Sequence, residues 1–377
     1  MATAVLGRSL VLLARAGYRR AVITRGLTRV LATLALAATL ATGCSESPRA
    51  RRYPERMSIW AEELPQASLD ERLAFAGRSR LNVNVSMVKG SHDVGYLTAL
   101  CSAAERAGVA LRLWPGLPRD QGYWANQHNA TAYLAWIDEL MALAPGACPR
   151  LDGFVVDMEM PLDRVDQLAA MRAGGASNVT IAMWLLDGID VAAFDAARAQ
   201  YAAAAKRVRG KGYRFAVSTL AMNADDWRDG DETIAHALWT PIEGIEWDAV
   251  SFQVYRNIYD QQFPATGGSY TSGLITSYAH DVVRVWGKRG GIDLGTTGAG
   301  IGVTVGLPDA AALVSDIAAA RAEGIAPGAI GIYSLEGLTG KPDAEAWVTL
   351  PAPRAAPITE LDSTARGTFQ SLDLLGN

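Results

Sequence analysis

Two carboxylic acids stand two residues apart in a short apolar run, Leu151-Asp-Gly-Phe-Val-Val-Asp-Met-Glu159. In an extended strand alternate side chains share a face, so Val155, Asp157 and Glu159 point one way and Phe154, Val156 and Met158 the other. The apolar face belongs under a layer of helices, which turns the carboxylates toward an interior. Asp157 and Glu159 then lie roughly 7 Å apart at Cα. Burial and mutual repulsion raise the proton affinity of one member of such a pair. One acid can stay protonated at neutral pH while the other stays ionised. That division of labour suits cleavage of a glycosidic bond, in which one group protonates the leaving oxygen and another stabilises positive charge on the sugar.

Other runs place polar groups in the same way. Ser251, Gln253 and Tyr255 alternate with Phe252 and Val254, and Asn82, Asn84 and Ser86 alternate with Val83, Val85 and Met87. Trp60, Trp114 and Trp184 fall near strand ends or in long loops, where an aromatic ring can stack on a sugar face. Tyr259, Phe263 and Tyr270 follow Tyr255, and core packing is the plainer reading for these and for Trp286.

The elements that position these groups recur as short apolar or alternating runs separated by helical patterns, the signature of βα units and a parallel sheet. Eight strands are expected: Met57–Trp60, Leu81–Val88, Val109–Trp114, Leu151–Met160, Arg214–Met222, Ala249–Tyr255, Gly300–Val305 and Ala329–Leu335. Helices are expected over Val94–Ala107, Ala130–Ala144, Val191–Arg209, Gly273–Lys288 and Asp309–Glu323, each ending near Gly or Pro. Eight such units predict a (β/α)₈ TIM barrel over residues 57–350, with polar groups converging at its C-terminal mouth. A doubly wound open sheet is the alternative, but no Gly-rich phosphate loop follows an early strand.

At these residues the chain resembles glycoside hydrolase family 18, the chitinases and endo-β-N-acetylglucosaminidases. The family's fourth-strand signature is Asp-x-x-Asp-x-Asp-x-Glu. Asp152, Gly153, Asp157 and Glu159 match it, and Val155 replaces the second Asp. Gln253-Val-Tyr255-Arg256 resembles the family's sixth-strand tyrosine segment. Gly331-Ile-Tyr333-Ser-Leu-Glu336 resembles its last-strand Trp-Ser-Leu-Asp segment, with Tyr333 where Trp is usual. The resemblance implies Glu159 as general acid. It implies that Asp157 and Tyr255 hold the substrate's 2-acetamido group, which acts as nucleophile, and that Tyr333 floors the central sugar subsite. Gln253, Arg256, Trp114 and Asn84 complete the expected substrate-binding set. Val155 removes the carboxylate that normally pairs with the position of Asp157.

Other readings of the same residues are a buried ion-pair network or a decayed enzyme kept as a glycan-binding protein. Asp152, at the start of its strand on the opposite face, is read as structural. Glu336 is the candidate second carboxylate if the chain follows another glycosidase family. Such barrels usually carry that group on strand seven, and Gly300–Val305 has none.

Composition bounds the rest. The first 43 residues hold six Arg and no acid, then an apolar run from Val30 to Thr42 leads into Leu40-Ala-Thr-Gly-Cys44. A charged start, a short apolar stretch and small residues before Cys describe an export signal, with Cys44 the expected lipidation site, or a plain cleavage point nearby. Residues 44–56 read as a tether. The whole chain holds 35 Lys and Arg against 39 Asp and Glu, and removing the six Arg leaves 29 against 39, near −10. So acidic a surface argues against a nucleic-acid partner. A glycan substrate, a monomer and membrane attachment only through the N-terminal lipid are expected, at the bacterial membrane facing periplasm or exterior. Cys101 and Cys148 are either one disulfide, as an oxidising compartment permits, or two buried thiols. His92, His128, His236 and His280 are scattered, so neither a metal site nor a cofactor is expected. The segment 351–377 is Pro/Ala-rich, then polar, and is expected to pack loosely.

Overall fold

The computed structural model describes residues 55–226, 230–262, 268–298 and 305–367. Eight parallel strands, Ser58–Ala61 (β1), Asn82–Val88 (β2), Leu111–Gly116 (β3), Gly153–Met158 (β4), Arg214–Leu220 (β5), Ala249–Gln253 (β6), Gly290–Gly295 (β7) and Ile330–Tyr333 (β8), pair in sequence order. β8 returns to β1, so the sheet closes. Helices lie between the strands, and the whole is a (β/α)₈ TIM barrel.

The period-2 patterns give the strands their two faces. Phe154, Phe215 and Phe252 point outward and are fully buried against the surrounding helices. Each contributes about 1.5–3 kcal/mol of apolar burial. Helix ends follow the capping chemistry of the sequence. The Asp93 side chain accepts from Tyr96 N at 2.8 Å to start Val94–Ala107, and Gly108 ends that helix at φ 65°. Asp190 and Asp309 cap their helices in the same manner. Inward-facing residues fill the lumen unevenly. Trp60, Arg112 and Trp114 occupy one side, and Ala216, Ser218, Gly291 and Gly331 the other. Gly153, the glycine of the acidic run, is required by close packing: a Cβ there would stand 2.2 Å from the Arg214 carbonyl oxygen.

Three expectations are corrected. The seventh strand is Gly290–Gly295, not Gly300–Val305, of which residues 300–304 lie outside the described residues. Its run Gly-Gly-Ile-Asp-Leu-Gly is too glycine-rich to show strand propensity. A side chain at Gly291 would press on the Ala329 carbonyl oxygen at 2.6 Å, so the glycine serves packing between β7 and the approach to β8. The stretch between β4 and β5 holds two helices, Leu162–Ala173 and Asn178–Asp187, that the sequence pattern had not marked. The segment expected to pack loosely is anchored over residues 351–367. Asp362 accepts from Thr271 N at 2.9 Å and Thr271 Oγ1 at 2.7 Å. Arg366, 2% exposed, pairs with Asp281 at 2.8 Å, bonds Asp225 through Nε at 2.9 Å and lies over the Tyr278 ring.

Cys101 and Cys148 form a disulfide, with Cα atoms 5.4 Å apart. It ties Val94–Ala107 to the end of the next helix, Ala130–Ala147. No helix among the described residues is long and apolar enough to cross a membrane. Cys44, the export signal and most of the tether lie outside the described residues.

Candidate active site

The carboxylates sit at the C-terminal mouth of the barrel, and an interruption of the sheet sets their backbone. β3 and β4 share only two register pairs, Arg112 with Gly153 and Leu113 with Phe154. Above these the strands part, and Ala125, from the loop after β3, takes the vacated place beside β4. Ala125 N donates to the Asp157 carbonyl at 2.9 Å, and Glu159 N donates to the Ala125 carbonyl at 3.0 Å. The segment that carries Tyr123 and Trp124 therefore also fixes the acidic residues.

Gln253, at the end of β6, donates from one Nε2 to both acids: 2.7 Å to Asp157 Oδ1 and 2.9 Å to Glu159 Oε1. Asp157 is buried and Glu159 half-buried. No salt bridge reaches either among the described residues. Burial lifts Glu159 to about 7, against the opposing hydrogen bonds from Gln253 and Asp157, and the charge of Glu62 adds to the rise. Asp157 is raised well above the carboxylate range, first by burial, then by the charge of Glu159 and a hydrogen bond to it, then by Asp293 and Glu62. The sequence pattern anticipates one acid raised and one ionised. In the barrel both are raised, because burial and their mutual repulsion oppose full ionisation of the pair.

Aromatic side chains enclose this pair. Trp60 and Trp114 meet edge to face with centroids 5.1 Å apart, and Val155 packs with them, Trp124 and Ala216. Val155 is thus part of an apolar wall. Tyr255 and Tyr333 lie 5.9 Å apart. Burial and the nearby carboxylates hold the Tyr255 hydroxyl well above its usual range, so it stays a donor. Glu62, just past β1, accepts from Tyr123 Oη at 2.8 Å and from Tyr333 Oη in a short hydrogen bond, tying the loop after β3 to β1 and β8. Asn84 is buried beside Trp60 in the lumen, and its Oδ1 has no protein partner.

Of the residues singled out from the sequence, Asp157, Glu159, Gln253, Tyr255, Tyr333 and Trp114 are brought together at the mouth. Arg256 is not: its guanidinium bonds Asp316 at 2.8 Å and the Tyr270 carbonyl. Asp152 pairs with Arg112 at 2.9 Å, a structural ion pair. Glu336 accepts from Glu63 N at 3.0 Å at the rim. Trp184 lies on the helix Asn178–Asp187 with Arg164 over its ring. Tyr259 and Tyr270 pack in the core. Four neighbours of the pair were missed. Glu62 follows Trp60 by two and continues the inward parity of β1, a legible signal. Asp293 follows Gly291 by two on the misplaced seventh strand, so the expectation that this strand lacks a carboxylate is overturned. Tyr123 and Trp124 sit in a loop, where no periodicity points to them.

No family model matches the sequence, and a search of curated proteins finds no match. Similar solved structures include the PgaB (BpsB) glycoside hydrolase domain from Bordetella bronchiseptica, 13% identical with a TM-score of 0.48, covering 80% of this chain and 100% of that one. A D-allulose 3-epimerase from Methylomonas sp. is 11% identical with a TM-score of 0.42, covering 86% and 99%. A deoxyribose phosphate aldolase from Aeropyrum pernix is 12% identical with a TM-score of 0.39, covering 75% and 87%. At these values the likeness bears on neither the site nor its chemistry.

Proposed function

We propose that the protein is a glycoside hydrolase that cleaves β-linked N-acetylhexosamine glycans by a substrate-assisted, retaining mechanism. The observation that supports this reading is the bridge from Gln253 to both Asp157 and Glu159, two carboxyls held together at the mouth of a barrel lined with aromatic rings. The resemblance to family 18 supplies the roles. Glu159 donates the proton to the leaving glycosidic oxygen. The substrate's acetamide oxygen attacks the anomeric carbon. Asp157, its proton passed to Glu159, accepts the acetamide N–H and stabilises the cationic ring that forms. Tyr255 donates to the same group, and Tyr333 supports the sugar from below. Glu159 then acts as base on the incoming water.

The apolar position of Val155 favours a second reading, a glycan-binding protein without turnover. One experiment separates the two. Soluble protein lacking the first 44 residues is assayed on a panel of aryl-chitobiosides beside Glu159→Gln. Positioned acid catalysis is worth about 10²- to 10⁴-fold, so the variant should lose that much rate while keeping glycan affinity. Cleavage of a 2-hydroxyl analogue as fast as the N-acetyl sugar would exclude the acetamide nucleophile. Binding without cleavage would establish the second reading. The reading extends to location: export as a lipoprotein held by Cys44.

A further inference from the structure

We infer that Asp293 is a positioning residue for this site: a fixed, buried anion under the Asp157–Glu159 pair that keeps the reacting proton on the pair. Its place in the barrel is built for a carboxylate. Trp60 Nε1, which can only donate, meets Asp293 Oδ1 at 3.0 Å, and Ser218 Oγ donates to Oδ2 at 2.7 Å. Both oxygens therefore act as acceptors, as in the ionised form. Trp60, Ser218 and Asp293 come from β1, β5 and β7, alternate strands whose inward side chains share a layer across a barrel of this kind. The layer leaves room for nothing else. A Cβ at Gly331 would stand 1.8 Å from Asp293 Oδ1 and 2.9 Å from Trp60 Nε1.

The register joins this layer to the acids on two sides. Ser218, bonded to Asp293, is the strand neighbour of Asp157. Asp293 is itself the strand neighbour of Gln253, which holds both acids. A carboxylate so placed disfavours a second negative charge on Asp157 and so opposes loss of the pair's proton. It does from β7 what Val155 cannot do from β4.

The other charges facing these groups are few. Around Asp157 and Glu159 they are Glu62 past β1 and the hydroxyls of Tyr123, Tyr133 and Tyr255. Around Asp293 burial is the largest influence and holds the carboxyl above its ordinary value, while hydrogen bonding with Ser251, Ser218 and Trp60 and the charge of Arg112 from β3, itself paired with Asp152, pull it back toward the ionised form. Glu62 also pushes the pair upward, but it is tied to Tyr123 and Tyr333 at the rim, whereas Asp293 is 2% exposed and little screened.

The test is Asp293→Asn, which preserves shape. The amide oxygen still accepts from Trp60, and the Ser218 hydroxyl can turn to accept from the amide nitrogen. Carboxyl ¹³C NMR of Asp- and Glu-labelled protein, assigned with Asp157→Asn and Glu159→Gln, follows the pair directly. Like charges about 10 Å apart at an effective dielectric near 20 interact by roughly 1.7 kcal/mol, which moves a titration by on the order of one pH unit, so the variant's pair should lose its proton about one unit lower than wild type. An unchanged titration in a variant with a native amide spectrum overturns the proposal. So does finding the Asp293 carboxyl of the wild type protonated in the range where the pair titrates, a measurement that needs no variant. The kinetic arm rests on the glycosidase reading: the alkaline limb of kcat/KM on an N-acetyl substrate should move down in step. A shifted titration without glycan cleavage upholds the inference and removes the glycosidase reading. Cleavage with an unshifted titration does the reverse.

Discussion

Glu159→Gln should stabilise the protein, and by an amount that grows with pH. In the fold the Glu159 carboxyl is raised from 4.5 to about 7, chiefly by burial. A folded-state value above the unfolded one means stability present below about pH 4.5 and lost as pH rises through about 7. Linkage over that interval gives a penalty of about 1 kcal/mol at pH 5 and about 3 kcal/mol at pH 8, at 1.36 kcal/mol per pH unit. Glutamine accepts from Gln253 through its own oxygen and carries no charge, so it escapes the growing part. Any constant loss from the altered hydrogen bond cancels when the two pH values are compared. The variant should therefore gain about 2 kcal/mol on wild type between pH 5 and pH 8. With a urea slope of about 3 kcal/mol/M for a domain of this size, that is a relative midpoint displacement of about 0.7 M. The assay is urea unfolding of both proteins at both pH values, followed by fluorescence, and it requires no knowledge of the substrate. A midpoint difference that stays constant between pH 5 and pH 8, or a wild type that gains on the variant at pH 8, would refute the placement of Glu159 as a buried, proton-bearing acid.

Arg366→Met should destabilise the domain by about 3–5 kcal/mol, because it removes the buried cation that bonds Asp225 and pairs with Asp281, which retains Arg284 at 3.4 Å. Thermal unfolding reads this, and a loss under 1 kcal/mol would show that residues 351–367 do not hold the barrel. The Cys101–Cys148 bridge closes a chain separation of 47 residues, worth about 4 kcal/mol by the loop-entropy relation. A Cys101→Ala/Cys148→Ala protein should melt roughly 5 °C lower, and the unreduced wild type should resist alkylation at both positions when unfolded. Cys44→Ser should release into the soluble fraction a protein that otherwise sediments with membranes; wild type found in the cytoplasm would contradict export.

Much of the fold was legible because local pattern and tertiary need agree. Alternation in β4 and β6 fixes which side chains face the lumen, whatever the rest of the barrel does, so Asp157, Glu159, Gln253 and Tyr255 could be placed on inward faces from sequence. The cap residues Asp93 and Gly108 likewise mark their helix from within it. Where packing decided, the sequence was mute or misleading. β7 carries glycines because its neighbours come too close for side chains, and that removes the propensity by which a strand is recognised. Asp293 went unseen for the same reason. Arg256 stands beside Tyr255 in sequence, yet it turns to Asp316 from a helix far along the chain. Residues 351–367 are poor in large apolar side chains, and their anchoring comes from buried charges whose partners lie up to 141 residues away. Most of all, the raised proton affinity of Asp157 and Glu159 depends on Glu62 and Asp293 meeting around them from past β1 and from β7, with Gln253 of β6 bonded to both. Electrostatic energy follows distance and burial, and only closure of the barrel sets either.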